Sequence, residues 1–111
     1  MSDAQILGEF EHIVLLAILR LGDKAYGVTI RNEIKERTGR EPAPGALYTT
    51  LDRLEDKGLL TSTMGDPTPE RGGRAKRYVR VSARGMEAVN HARQCYLRMW
   101  EGLPFPGVAY A

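Results

Sequence analysis

Five cations crowd into ten residues of this chain: Arg71, Arg74, Lys76, Arg77 and Arg80. Gly72, Gly73 and Tyr78 lie among them. Cations on a glycine-containing segment can follow a polyanion. Arginine suits a narrow minor groove, and lysine or arginine on phosphate supplies salt-dependent affinity without reading sequence. The formal charge of the whole chain is only +2. It is therefore the clustering, and not the total, that points toward nucleic acid. The plain alternative is a charged loop that merely keeps the protein soluble.

Other chemistry finds few residues to work with. His12 and His91 stand in separate segments, each without a motif partner for general base or ligand work. Cys95 is the single cysteine and falls in an apolar stripe, so it reads as packing; no intrachain disulfide or thiol-built zinc site can form. The Gly72-Gly73 pair sits in turn chemistry and is not a nucleotide fingerprint, and no P-loop or nucleophile elbow is present. The expectation is a protein that is not an enzyme and has no metal site and no cofactor.

The elements that must position the cations can be read from periodicity. Residues 5–21 contain no proline, and Phe10, Ile13, Val14, Ala17 and Leu21 recur at helical spacing. Their apolar arc is wider than one core face needs, which predicts cover from two sides. A second helix is expected from Tyr26 to Thr38, with Val28, Ile30 and Ile34 inward and Gly39 as its C-cap. A third should run from Pro44 to Lys57, with proline in the first turn where a missing N–H costs nothing. Leu59–Met64 and Tyr78–Val81 read as two strands of a hairpin around a long Pro/Gly loop. Ser82 is a plausible N-cap for a fourth helix, Ala83 to Trp100.

The order is a mainly α (α+β) arrangement, α-α-α-β-β-α: a winged helix-turn-helix with an appended C-terminal helix. The boundaries expected are 1–82 for the winged helix-turn-helix domain, 83–101 for a dimerisation helix and 102–111 for a short non-helical tail. Residues 1–5 lack the basic region of a signal peptide, and the longest apolar run, Ile13–Leu19, is short of the roughly 20 residues of a membrane span. A soluble cytoplasmic protein with no membrane partner is expected.

On the third helix, Leu47, Leu51 and Leu54 share one face, while Gly45, Thr49, Asp52 and Arg53 lie opposite, flanked by Ala46 and Tyr48. A recognition helix needs this division: the buried face anchors it and the exposed first turns enter a major groove. Gly45 and Ala46 permit close backbone approach, Thr49 and Thr50 can bond bases or meet a thymine methyl, and Arg53 is a long donor. Glu55 and Asp56 would be repelled by phosphate, so the C-terminal half should tilt away from the duplex. Tyr48 could either pack beneath the helix or reach a phosphate.

At this point a resemblance becomes specific. Tyr26-Gly27, Gly45-Ala46-Leu47-Tyr48, the run from Leu51 through Gly58 to Leu59, Gly73 to Tyr78, and Val81 to Gly85 together resemble the PadR family of regulators in order and spacing, over most of residues 10–86. Two positions depart from the family pattern. Thr49 stands where proline is usual, and Ser82 stands where threonine is usual. The first adds a donor on the DNA-facing side; the second keeps a capping hydroxyl. The resemblance implies a homodimeric regulator, commonly a repressor, on an inverted-repeat operator. It places Tyr26, Gly45, Tyr48 and Arg53 at DNA-facing helix-turn-helix positions, and Gly73, Arg74, Lys76 and Arg77 on the wing.

The last helix carries two apolar stripes, Met86, Val89, Tyr96, Leu97 and Trp100, and Ala88, Ala92, Cys95 and Met99. One domain does not need both, and aromatic and methionine enrichment suits an interface core. The expected dimer contact set is Phe10, Val14, Val89, Ala92, Tyr96, Leu97, Met99 and Trp100. By the same resemblance, a small planar apolar inducer could stack on Tyr96 and Trp100. The competing reading is a winged-helix module that binds another protein and no DNA.

Overall fold

The computed structural model describes residues 6–65 and 75–104. Its elements are α1 (Glu9–Leu21), a short 3-10 turn (Gly22–Lys24), α2 (Gly27–Thr38), α3 (Pro44–Asp56), β1 (Leu60–Met64), β2 (Arg77–Val81) and α4 (Ala83–Trp100). The two strands form an antiparallel hairpin in which Leu60 faces Val81 and Met64 faces Arg77. The expected α-α-α-β-β-α order is found, with each boundary within a few residues of its sequence signal.

Local chemistry explains the boundaries. The first helix begins at Glu9, later than periodicity suggested, because Gly8 caps it: the Glu11 carboxylate reaches back to accept the Gly8 N–H at 2.9 Å. Gly39 and Gly58, at φ 79° and 77°, take the left-handed conformation after α2 and α3. Ser82 caps α4 by accepting the Gly85 N–H at 3.0 Å, and its hydroxyl donates to the Gly58 carbonyl at 2.6 Å. The backbone N–H of Ser82 donates to the Leu59 carbonyl at 3.0 Å. Gly85 is required by this close approach, since a Cβ there would collide with the Leu59 carbonyl oxygen and stand 2.6 Å from Val81 Cγ1.

The core lies where the three helices meet the root of the hairpin. Val14, Leu15 and Ile18 of α1, Ile30 and Ile34 of α2, and Leu47, Leu51 and Leu54 of α3 are all buried. Leu59, Leu60 and Val79 close it from the wing side and Ala88 and Val89 from α4. Each of the large side chains contributes about 2 kcal/mol by leaving water. The Val79 N–H donates to the Ala25 carbonyl at 3.0 Å, which pins β2 to the segment ahead of α2.

Three assignments change. Val28 was expected inside but is 51% exposed. Gly27, Ile30 and Ile34 form the inward row at i, i+3 and i+7, and Val28 lies about 200° from Ile30 around the helix. Val14 and Val89, expected at a subunit contact, are instead consumed by the chain's own core at 0% and 6% exposure. Periodicity names the apolar residues of a helix, but not which neighbour covers each one.

Candidate nucleic-acid interface

The third helix is divided as its sequence suggests. Leu47, Leu51 and Leu54 are buried, while Gly45, Ala46, Tyr48, Thr49, Asp52 and Arg53 are exposed. Thr50 is the exception among the expected contacts. It is 6% exposed, and its hydroxyl donates to the Ala46 carbonyl at 2.9 Å, so it packs inward. The reason is angular: Thr50 follows Leu47 by three residues and Leu54 follows it by four, which places it on the buried row.

Tyr48 packs on the neighbouring helix and still keeps part of its surface exposed. Its ring crosses the start of α2, and a Cβ on Gly27 would stand 2.9 Å from its Cζ and collide with its hydroxyl. The side chain nevertheless keeps 46% of its surface exposed. The Tyr26-Gly27 and Leu47-Tyr48 pairs of the sequence are thus two halves of one contact. Tyr26 continues the platform, edge-on to Tyr78 with ring centroids 5.4 Å apart and planes at 66°. Lys76 Nζ lies 5.4 Å from the Tyr26 ring centroid, a cation–π contact that seats the first described cation of the wing over the head of α2.

Arg77, expected on the phosphate-binding wing, has partners within the chain. Its Nη1 donates to Asp52 Oδ1 at 2.9 Å and its Nη2 to Glu55 Oε1 at 2.6 Å. Burial works against the charged guanidinium, but its bonds to Glu55 and Asp52, with their negative charges, outweigh it and hold the pKa above its ordinary value. Glu55 is therefore paired within the chain, by Arg77 and by the Ser62 hydroxyl. Sequence reasoning missed this network, although Asp52 and Glu55 at i, i+3 beside the wing root were its visible trace. The wing tip residues Arg71, Gly72, Gly73 and Arg74 lie outside the described residues.

Glu11 and Lys57 tie α1 to the end of α3. Lys57 Nζ lies 2.9 Å from Glu11 Oε2, and Glu11 is almost fully buried. Burial pushes its carboxyl up, but the bonds from Lys57 and the Gly8 N–H, with the charges of Lys57 and Arg53, more than offset this and hold it below the usual carboxylate range.

The far half of α4 is largely exposed. Tyr96, Leu97, Met99 and Trp100 are 59%, 50%, 76% and 53% exposed, and among the described residues after Asn90 only Ala92 is half-buried. Phe10 is also half-buried, packed on the core with the Arg40 guanidinium 5.6 Å from its ring centroid. Ile6, Leu7, Ala92, Tyr96 and Met99 line an open cleft of about 410 Å³ together with His91 and Cys95. No helix among the described residues is long and apolar enough to cross a membrane.

Three helices, a hairpin pinned to the segment ahead of the second helix, and an exposed polar face on the third helix define a winged helix-turn-helix DNA-binding fold. Residues 15–91 match the Transcriptional regulator PadR-like family, and the chain belongs to that family. Among solved structures it is similar to a PadR family transcription regulator from Clostridium difficile R20291, at 24% identity and a TM-score of 0.67, covering 81% of this chain and 90% of that one. It is also similar to RosR of H. salinarum, at 25% identity and a TM-score of 0.70, covering 91% and 84%. A complex structure of hsRosR-SG gives 28% identity and a TM-score of 0.71, covering 93% and 84%. Among curated proteins, none matches this chain.

Proposed function

We propose that this regulator is a repressor that binds an inverted-repeat operator as a homodimer, with α3 in the major groove and the basic wing on the flanking minor groove or backbone. One observation carries the reading. Gly45, Ala46, Tyr48, Thr49 and Arg53 share the exposed side of a helix whose other side is buried, and Tyr48 is continuous through Gly27 and Tyr26 with Lys76 on the wing. Thr49 and Arg53 are the base-reading residues, and Lys76 is the phosphate contact. Gly73 and Arg74 take the wing-tip role on the strength of their sequence. In the dimer the uncovered part of α4 meets a second copy through Ala92, Tyr96, Leu97, Met99 and Trp100, which sets half-sites about one helical turn apart. A small planar apolar inducer would stack on Tyr96 and Trp100 beside that contact.

The test is a gel shift with DNA flanking the chain's own gene against random duplex of the same length, over a salt series. Tighter binding to the flanking DNA supports the reading. No binding to either duplex at low salt would overturn it and leave a winged-helix module that recognises protein.

A further inference from the structure

The root of the wing holds an ion network that base reading and phosphate binding leave unused. Arg77 opens β2, and its guanidinium forks onto Asp52 and Glu55 of α3 at 2.9 and 2.6 Å. Ser62 of β1 donates to the same Glu55 carboxylate, with its Oγ 3.1 and 3.0 Å from the two oxygens. Both strands of the wing are therefore tied to one turn of the recognition helix. The Arg77 side chain is only 25% exposed, whereas that of Asp52 is 67% exposed and lies on the face that carries Thr49 and Arg53.

Two consequences follow from this geometry. A carboxylate on a groove-facing surface repels phosphate, and Arg77, bonded to both Asp52 and Glu55, offsets one of their two negative charges. A fork bonded to two carboxylates and only 25% exposed turns its charge toward the helix, and it restrains the angle between wing and helix. We infer that Arg77 is a positioning residue: it offsets part of the acidic charge of the recognition helix and locks the wing to it, so that both meet the duplex as one body. This rests on the DNA-binding reading above.

A double-mutant cycle on the full chain tests it. Wild type, R77M, D52N/E55Q and the triple variant are titrated, over a salt series, with a duplex that the wild type selects from a random pool and with its scrambled counterpart. R77M should weaken binding to the selected duplex about tenfold and to the scrambled one about threefold where the acids are present, with each loss less than about twofold in the D52N/E55Q background. The selected-over-scrambled ratio should fall in all three variants, because each loses the lock. An equal loss in both backgrounds, with the salt slope reduced by about one phosphate, would make Arg77 a direct contact and overturn the inference.

Hydrogen exchange without DNA supplies a second reading. Amides of β1 and β2 should exchange faster in R77M and D52N/E55Q while those of α1 and α2 keep their protection. Unchanged exchange in the hairpin would refute the lock. If the wild type selects no duplex, the DNA-binding reading fails, and the exchange result still decides whether Arg77 couples wing to helix.

Discussion

The ring of Tyr48 on α3 occupies the space that a side chain at Gly27 on α2 would need, with its Cζ 2.9 Å from where a Cβ would stand. The two helices of the helix-turn-helix are thus set against each other by one aromatic ring and one missing methyl group. Gly27→Ala should destabilise the protein by about 1–3 kcal/mol, the usual range for overpacking. In the Tyr48→Ala background the same change should cost less than about 1 kcal/mol, because the ring is gone. Thermal unfolding of the four proteins measures the coupling, and additive effects would show that the contact is not shared.

Gly85→Ala should be more damaging. Its Cβ would meet the Leu59 carbonyl oxygen, which is backbone and cannot swing aside. A loss of about 3 kcal/mol or more is expected, at the upper end of overpacking. Urea unfolding checks this, with Gly45→Ala as the control, since nothing stands within 4 Å of a Cβ there.

Glu11 sets a pH dependence of stability. Its carboxyl is held below the usual carboxylate range in the folded chain, so its contribution is present above the unfolded pKa and is lost as pH falls through the folded one. Lys57→Met removes the bond and much of the opposing charge while burial remains. It should cost about 1–3 kcal/mol near neutral pH, as for a buried acceptor left short of a partner. The gap between wild type and variant should narrow on acidification, and urea unfolding from neutral to acid pH measures it. A gap that does not change with pH would mean that Lys57 acts by packing alone.

The uncovered part of α4 predicts the oligomer. Leu97→Glu and Met99→Glu place charges on side chains that are 50% and 76% exposed and outside the domain's own core. Each should shift a dimer toward monomer, raising its dissociation constant about a hundredfold or more, with helical circular dichroism unchanged. Sedimentation velocity reads the outcome, and a wild type that sediments as a monomer would remove the dimer from the proposal.

Base reading and phosphate binding separate on substitution. Thr49→Ala should change which base is preferred at one position per half-site. Lys76→Ala should weaken all duplexes alike and reduce the salt slope by about one. Selection from random DNA followed by salt titration distinguishes the two.

Much of this molecule was legible in its linear order. The leucine row of α3, the Pro44 start, the glycine ends at Gly39 and Gly58 and the Ser82 cap are local signals: each depends on hydrogen bonds or φ values within about a turn of chain. They determined the element order, the winged helix-turn-helix layout and the exposed set Gly45, Ala46, Tyr48, Thr49 and Arg53. Tertiary structure alone decided who covers whom. Val14 and Val89 went to the chain's own core, Thr50 turned inward, and Arg77 spent its charge on Asp52 and Glu55, 25 and 22 residues away in sequence. Periodicity records that a face is apolar and composition records that a segment is basic. The partner that satisfies either one is fixed by packing between elements, over distances that no local pattern encodes.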